Sequence, residues 1–310
     1  MGAVKRVLIT GASGFIGRAT VDAALDAGLE VVAVQRRVGA DRTDVTYVSV
    51  DLTVRDSVET LSSAMAGCDA VIHLAAAMSG DPTDHARLTL AGTEHVIAAM
   101  KNAGIGHLTL ASSLAVYDTS TVAIGAVLTD TTPLVTTDTP RDAYSDAKAQ
   151  QETLVSNAGF DSVTVVRPGI VYDADHLWNA HLGVGAGPAL FRAAADDPLP
   201  MCHVQRCAAA LVKGTLKQVH DTITLVDRNL PARGQVIAKL QESGWPKQIL
   251  PLPTGLLWTT ARMLGPVSSK LPGLLRAPVL RQRLLPMTYR FHPPEELDLP
   301  DPSPAWEARL

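Results

Sequence analysis

The sequence predicts a doubly wound α/β fold, in which helices cover both faces of a parallel β-sheet, followed by a smaller, mostly helical C-terminal substrate domain. Over the first 230 residues, short β-branched runs alternate with longer Ala- and Leu-rich segments at helical spacing, as expected for a buried parallel sheet. A glycine-rich turn follows the first run, and twelve of the 20 prolines lie beyond Trp245. Because proline limits helix length, we predict one α/β domain over residues 1–230, with an excursion near 172–200, and a cap of short helices over 231–310.

Each strand of the predicted sheet corresponds to a run of valine, isoleucine or leucine. We predict strands over residues 4–9, 31–35, 45–50, 70–74, 107–111, 162–166 and 222–226. The segments between them have apolar residues at helical period, and we predict helices that begin near Phe15, Arg55, Asp84, Ala143 and Val204. This alternation is typical of a parallel sheet with helices on both faces.

The composition excludes several classes of protein. Of the 310 residues 46% are hydrophobic and 19% charged, with a formal net charge of -4, which excludes disorder and argues against nucleic acid as a partner. Three cysteines are too few for a disulfide framework, and the chain opens into a β-like run in place of a signal peptide. No stretch has the ~18 consecutive apolar residues of a membrane span. We expect a cytoplasmic protein without an integral membrane segment that acts on a small molecule; homodimerisation is left open.

A glycine-rich loop joins the first predicted strand to the first helix. Gly11, Gly14 and Gly17 are spaced GxxGxxG, a pattern that lets the backbone approach a pyrophosphate and lets helix N–H groups point at it. The alternative is an ordinary glycine-rich turn, but strand, spacing and helix coincide here. The expected dinucleotide contacts are Gly11, Ser13, Gly14, Phe15, Ile16 and Gly17.

The end of the second strand indicates which dinucleotide is used. The strand ends in Gln35-Arg36-Arg37, where an NAD site places an acid on the ribose 2'-hydroxyl. Glutamine does not repel a 2'-phosphate, and Arg36 or Arg37 can pair with one. We therefore predict NADP as the preferred cofactor, with NAD as the alternative if both arginines are merely solvated.

Three residues suit proton transfer to or from a substrate oxygen. Tyr144 and Lys148 lie four positions apart on one face of a predicted helix. A nearby cation lowers a tyrosine pKa, so Tyr144 is the predicted acid/base and Lys148 the residue that lowers its pKa. Ser113, which follows a predicted strand, supplies a hydroxyl for the same oxygen. The alternative is a surface Tyr/Lys pair without function.

These motifs resemble the extended short-chain dehydrogenase/reductase family, of the NAD-dependent epimerase/dehydratase type. The residues that carry the resemblance are Gly11/Gly14/Gly17, Asp51-Leu52, His73-Leu74-Ala75-Ala76, Ser112-Ser113-Leu114-Ala115-Val116-Tyr117, Tyr144/Lys148 and Arg167-Pro168-Gly169. The resemblance implies a Rossmann domain that holds the cofactor and a smaller substrate domain. It also implies that Ser113 bonds the substrate oxygen, and that Lys148 holds the nicotinamide ribose.

The remaining expected contacts follow from the strand ends and from this resemblance. Asp51 is expected near the adenine, whereas His73 is expected to be structural. The full set of further cofactor contacts is Asp51, Leu52, Leu74, Ala75, Ala76, Ser112, Tyr144, Lys148, Pro168, Gly169 and Ile170. Substrate contacts are expected at Leu114 and Tyr172, with His176, Trp178, His181 and residues 256–263 as further candidates.

Three departures from the family pattern bear on the substrate. Thr89 and Ile170 stand where sugar-modifying members carry asparagine, and Gln205-Arg206 stands where an acidic pair is usual. These changes remove expected contacts to a sugar diphosphate and favour a mostly apolar substrate. No metal site is predicted, because the cysteines and histidine of residues 202–207 have no second cluster of ligands.

The leading hypothesis is an NAD(P)-dependent oxidoreductase that transfers a hydride between the cofactor and a carbonyl or secondary alcohol of a small, mostly apolar substrate. The alternatives are a nucleotide-sugar epimerase or dehydratase, and a cofactor-binding regulator without turnover. Residues 243–294 carry seven Lys or Arg and no acid. We expect this segment to be a lid over the substrate, with an anion site and a membrane-surface contact as the other interpretations.

Overall fold

The computed structural model describes residues 2–37, 42–120, 122–123, 125–138, 140–192, 196–252, 259, 263, 277–284, 287–302, 304 and 306. Its central feature is a seven-stranded parallel sheet. The strands are β1 Arg6–Thr10, β2 Glu30–Gln35, β3 Val45–Ser49, β4 Ala70–His73, β5 His107–Ala111, β7 Ser162–Pro168 and β12 Thr222–Leu225, in the order β12-β7-β5-β4-β1-β2-β3. All seven lie where the sequence predicts them, β5 with the same bounds. The predicted doubly wound fold is confirmed.

The helices of this layer cover both faces of the sheet. They are α1 Phe15–Asp26, α2 Ser57–Ala64, the single turn α3 Pro82–His85, α4 Gly92–Ala103, α5 Ala143–Ser156 and α6 Val204–Leu216. The helix predicted to begin near Asp84 corresponds to α3, a π-helical segment at Ala86–Ala91 and α4, which follow one another directly; the sequence does not predict the π-helical segment.

Alternate residues of each strand enter two separate cores. Ile9 and Ile72 pack with Leu211 of α6 on one face, whereas Leu8 and Leu108 belong to the cluster on the other face. Strands buried on both sides read as continuous apolar runs, which is why the sequence locates them well.

A second layer stands over the carboxyl ends of the strands. The hairpin β9 Gly183–Ala186 and β10 Ala189–Arg192 pairs in parallel with β13 Gln248–Pro251. Its core includes Leu182, Leu190, Val236 and Ile237, the last two from helix α7 Arg233–Glu242. The sequence does not predict this small sheet, because its strands have four residues each and two of the four in β9 are glycine.

Residues 288–299 return to the first layer. Strand β14 Thr288–Tyr289 pairs with β6 Val127–Leu128, and Leu297 and Leu299 join the core cluster that contains α6. The remaining strands, β8 Ile170–Tyr172 and β11 Met201–His203, pair with each other. The division of the chain at residue 230 stays a prediction.

Much of the segment predicted to be a lid lies outside the described residues. This holds for residues 256–263 except for Thr259 and Met263, and Met263 is 77% exposed. Helix α8, Ala277–Leu284, is described, and Arg281 Nε of that helix donates to the carbonyl of Thr119 at 2.8 Å. In the described residues no helix is both long and apolar enough to cross a membrane.

Candidate active site

A cleft of about 860 Å³ lies at the carboxyl ends of the central strands. Residues that follow six neighbouring strands line it: Gly11 after β1, Arg36 after β2, Asp51 after β3, Ala75 after β4, Ser112 after β5 and Gly169 after β7. Ligands bind at this edge in doubly wound sheets, and the volume is at the upper end of the range for ligand sites.

The glycine loop is wound tightly enough that side chains would not fit. Gly11 has φ +68°, and a Cβ placed on it would lie 2.9 Å from the amide nitrogen of Ala75. A Cβ on Gly17 would overlap the carbonyl oxygen of Gly11. Gly14 is the N-cap residue of α1. Ser13, Gly14 and Phe15 line the cleft, so the free N–H groups of the first helical turn lie at its wall. This backbone cradle fits a pyrophosphate.

The predicted cofactor residues lie along this cleft with one exception. The lining includes Gly11, Ser13, Gly14, Phe15, Ile16, Gly17, Arg36, Asp51, Leu52, Leu74, Ala75, Ala76, Ser112, Tyr144, Lys148, Pro168, Gly169 and Ile170. Arg37 is exposed and lies outside the lining, because it follows Arg36 where the chain leaves the strand.

The end of the cleft at β2 and β3 carries both signs of charge. Gln35 is buried and Arg36 is exposed beside it. The Asp51 carboxylate accepts a hydrogen bond from the Thr53 amide at 2.9 Å. Hydrogen bonding to Thr53 lowers the pKa of Asp51, with a smaller contribution from the charge of Arg36.

Helix α5 brings the predicted catalytic residues together. Its first turn is capped by Asp142, whose carboxylate accepts from the Ser145 amide at 2.8 Å, so Tyr144 is held in that turn. Lys148 follows one turn later, and Ser113 caps the short 3-10 turn after β5. All three residues line the cleft.

The electrostatics of Tyr144 differ from the prediction. Burial raises the pKa of Tyr144, and hydrogen bonding to Ser113 together with the charge of Arg141 only partly opposes this. The ammonium of Lys148 donates to the carbonyl of Ala111 at 2.8 Å and to Gln151 Oε1 at 2.9 Å. At neutral pH Tyr144 is therefore a neutral phenol.

Lys148 is itself strongly perturbed. The side chain is buried, which lowers the pKa of Lys148 to about 8, and the carboxylate of Glu152 opposes this fall. Glu152 forms a bidentate buried ion pair with Arg167, at 2.9 and 2.6 Å. Ser112 donates a further hydrogen bond to Glu152. A buried carboxylate without such partners would be costly, and the guanidinium of Arg167 supplies the opposite charge.

His73 has the structural role that the sequence indicates. Its ring bonds Thr10 Oγ1 at 2.6 Å and Thr93 Oγ1 at 3.0 Å. Burial lowers the pKa of His73 to about 3, so the imidazole is neutral. Thr89, which replaces the family asparagine, accepts from the Ala77 amide at 3.0 Å and supports the cleft wall.

Only some of the residues predicted to contact the substrate line the cleft. Leu114 and His181 line the cleft. Tyr172 does not: it is fully buried, and its hydroxyl donates to Asp227 Oδ2 at 2.7 Å, because β8 pairs with β11 and turns this side chain into the second layer. His176 stacks on Phe15 with centroids 4.3 Å apart, and Trp178 packs edge-on against Trp245; both lie outside the lining.

Several lining residues were not predicted from the sequence. Arg141 and Arg283 give the substrate end positive charge, while Met78 and Leu88 give it apolar surface. Arg283 belongs to the acid-free segment, so its charge was visible in the sequence. Its position in the cleft depends on α8, which lies far along the chain from Arg141, and no local pattern indicates it.

A comparison of the sequence with known protein families identifies the family of this chain. The NAD dependent epimerase/dehydratase family matches residues 7–179. This chain belongs to the NAD-dependent epimerase/dehydratase family. The resemblance to extended short-chain dehydrogenases/reductases is thereby confirmed.

Relatives in this family include both ketone reductases and an epimerase. A 4-hydroxy-2-methyl-3-oxo-4-farnesyl-3,4-dihydroquinoline-1-oxide ketoreductase of Stigmatella aurantiaca is 34% identical over 55% of this chain and 51% of its own length. A 2-alkyl-3-oxoalkanoate reductase of Stenotrophomonas maltophilia is 27% identical over 54% of this chain and 51% of its own. The matches thus span about half of each reductase. An N-acetyl-alpha-D-glucosaminyl-diphospho-ditrans,octacis-undecaprenol 4-epimerase of Escherichia coli O157:H7 is 26% identical over 81% of this chain and 77% of its own.

Solved structures of family members share the fold. UDP-N-acetylglucosamine 4-epimerase of Bacillus cereus superposes with a TM-score of 0.65 over 97% of this chain and 96% of its own, at 14% identity. UDP-glucose 4-epimerase of Thermus thermophilus, in complex with NAD, gives 0.63 over 80% and 87%, at 22% identity. At these identities the likeness establishes the fold alone.

Proposed function

We propose that the chain is an NADP-preferring ketone reductase, or the matching secondary-alcohol dehydrogenase, that acts on a mostly apolar small molecule. The observation that carries this proposal is that Ser113, Tyr144 and Lys148 line the same cleft as the apolar side chains of Leu114, Met78 and Leu88. Proton transfer groups and apolar walls in one cavity suit reduction of a carbonyl in an apolar molecule.

The cofactor would be held by the backbone of the glycine loop and by the residues after β4 and β7. When bound, it supplies the hydride that the reaction transfers. The residues of the chain then act on the substrate oxygen. Ser113 donates a hydrogen bond that orients the carbonyl, and Tyr144 donates its proton to that oxygen as charge develops on it.

The raised pKa of Tyr144 favours the direction of reduction. A neutral phenol has a proton to give, whereas oxidation of an alcohol needs a phenolate to receive one. Lys148 keeps its positive charge below a pH of about 8, and in that form it stabilises negative charge that develops on Tyr144 during transfer. The pair is therefore suited to proton donation at neutral pH.

The preference for NADP rests on the ribose end of the cleft. Arg36 offers a cation for a 2'-phosphate, and Gln35 carries no charge that would repel one. Asp51 also lines the cleft, but its carboxylate is held by the Thr53 amide and lies in the positive field of Arg36. We expect NADP to bind more tightly than NAD at this end.

Two relatives support a ketone as substrate. The reductases of Stigmatella and Stenotrophomonas are named for compounds with a 3-oxo group, one with a farnesyl chain and the other with an alkyl chain. Both compounds are apolar apart from a few oxygens. Ile170 at the position of the family asparagine leaves this chain without one polar contact that a sugar would use.

A nucleotide-sugar epimerase is the second candidate. It is favoured by the E. coli relative, which matches a larger share of the chain than either reductase does. Consumption of cofactor separates the two functions. We expect NADPH to be oxidised stoichiometrically with a 2-alkyl-3-oxoalkanoate, and no interconversion of UDP-glucose and UDP-galactose. Epimerisation without net oxidation of cofactor would replace the reductase proposal by the epimerase.

A further inference from the structure

Positive charge collects at the substrate end of the cleft, next to the proposed acid/base. Arg141 and Arg283 both line this end. Arg141 is anchored by its Nε, which donates to Asp142 Oδ2 at 2.9 Å, and by its Nη1, which donates to the carbonyl of Ala115 at 3.1 Å. Arg141 Nη2 has no hydrogen-bond partner among the described residues. A fixed guanidinium with a free N–H edge is a preorganised donor.

Among the described residues, Arg283 forms no ion pair of its own. Within the described ranges its guanidinium forms no hydrogen bond or ion pair, and only its carbonyl is used, by Arg233 Nη2 at 3.3 Å. The nearest acid that acts on it, Asp142, is already committed to Arg141 and to the Ser145 amide. A partly buried guanidinium in this situation keeps N–H groups available to an incoming acceptor.

The positive charge in this part of the cleft lowers the pKa values of Arg283 and His181. Burial and the charge of Arg141 lower the pKa of Arg283. His181, in the same part of the cleft, has its pKa lowered to about 3 by burial and by Arg283, Arg141 and Arg233. Of the neighbouring charges, Arg233 faces Asp197 at 3.8 Å and Arg141 faces Asp142, which leaves Arg283 unbalanced. An anion that entered here would be attracted to a site with its donors in place.

We infer that the substrate of this cleft carries an oxyanion, a carboxylate or a phosphate, which binds between Arg141 and Arg283 while its carbonyl lies at Tyr144. This inference rests on the proposed function, because it places the anion on the molecule that is reduced. Arg141 precedes Tyr144 by three residues, so the oxyanion lies close to the reacting carbon and not at the far end of an extended ligand. The apolar side chains of Met78, Leu88 and Leu114 would then contact the rest of the molecule.

A binding assay that needs no turnover tests the site. Octanoate and octanamide are titrated by calorimetry into the protein saturated with NADPH, so that the cofactor's own phosphate contacts are occupied. The two probes have the same chain and differ in charge. We expect octanoate to bind on the order of 10-fold to 100-fold more tightly, as for a charge-assisted hydrogen bond, and Arg283→Gln or Arg141→Gln to abolish this difference. Arg228→Gln is the matched control, because Arg228 is an exposed arginine outside the cleft.

The outcomes separate the anion site from the reductase. Equal binding of the two probes to the wild-type protein, or a preference that survives in both cleft variants, overturns the site. An equal loss of the preference for octanoate in Arg228→Gln also overturns the site. The two cleft variants are independent, so failure of one to fold leaves the other. A carboxylate preference that depends on Arg283, in a protein that reduces no ketone, supports the site and removes the reductase. Reduction of a 3-oxoalkanoate and of its methyl ester with equal KM supports the reductase and removes the anion site.

A third probe identifies the source of the oxyanion. UDP is titrated under the same conditions into the wild-type and Arg283→Gln proteins. Tighter binding of UDP than of octanoate, lost in the Arg283→Gln protein, assigns the site to a phosphate and upholds the oxyanion. Weak binding of UDP beside tight binding of octanoate assigns it to a carboxylate.

Discussion

The buried ion pair behind Lys148 makes a quantitative prediction about the pH dependence of reduction. Lys148 loses its proton at a pH of about 8, so kcat/KM for ketone reduction should be level below pH 8 and fall above it. Glu152 raises the pKa of Lys148, and Glu152→Gln removes this negative charge while it keeps the size of the side chain. The falling limb of the kcat/KM profile, above which the rate declines with pH, should therefore move to lower pH.

The size of the shift follows from the helix. Lys148 and Glu152 are one turn apart on α5, about 6 Å between Cβ atoms, where two unit charges interact by about 3 kcal/mol at an effective dielectric constant of 20. One pKa unit corresponds to about 1.4 kcal/mol, which sets an upper value of about two units. Arg167 screens part of the charge of Glu152 in the wild type, but it is left unbalanced in the variant and repels Lys148. We expect the limb to move down by about one to two pH units.

The assay is the initial rate of NADPH oxidation with a saturable ketone between pH 5.5 and 9.5. Glu242→Gln, which removes an exposed carboxylate paired with Lys239, is the control and should leave the limb in place. Breaking one side of a buried pair costs about 3 to 5 kcal/mol, so the melting temperature of each variant is measured first. The double variant Glu152→Gln/Arg167→Gln removes both charges and should return the limb towards pH 8. A limb that stays in place or moves upward in Glu152→Gln refutes the reasoning.

Four further outcomes test the site. Tyr144→Phe removes the proton donor but keeps the ring, and should reduce turnover on the order of 10² or more with little change in NADPH affinity by fluorescence titration; turnover at the wild-type level would disprove the acid/base role. Gln35→Asp with Arg36→Ala should shift preference from NADP to NAD in calorimetry, because a carboxylate accepts from the 2'-hydroxyl and repels a 2'-phosphate; a wild-type protein that already prefers NAD contradicts the cofactor proposal. Gly17→Ala would place a Cβ on a loop carbonyl and should destabilise the fold by about 1 to 3 kcal/mol and weaken cofactor binding, whereas unchanged melting would contradict this packing. Because Lys148 loses its proton earlier in the folded state than in the unfolded chain, the free energy of unfolding should rise by about 3 kcal/mol between pH 8 and 10.5, and denaturant titrations of Lys148→Met should lack that rise.

The sequence predicts the central sheet well because its signal is local. A strand such as β5 is buried on both faces, so every residue from His107 to Ala111 is apolar or finds an internal partner, and the run ends where the polarity changes. The glycine loop is also local, since Gly11 and Gly17 meet the same turn of backbone. Residues after parallel strands collect at one edge, which is why most predicted cofactor residues line a single cleft.

What the sequence does not predict depends on contacts between distant segments. Tyr172 leaves the cleft because β8 pairs with β11, and its hydroxyl is satisfied by Asp227, 55 residues away. The spacing of Tyr144 and Lys148 predicts their proximity, but the pKa of each depends on burial, which spacing does not reveal. Arg283 enters the cleft through the packing of α8. In each case the missing information is three-dimensional.

The return of residues 288–299 to the first layer affects the order in which the chain can fold during synthesis. The ribosome releases the β1 to β12 region first, but Leu297 and Leu299 belong to the core on the α6 face, and Lys213 of α6 donates to the carbonyl of Asp298 at 2.5 Å. Until these last residues emerge, part of the apolar surface of α6 stays open to water and to chaperones. A nascent chain arrested before residue 288 should therefore bind a hydrophobic dye, and release past residue 299 should end that binding.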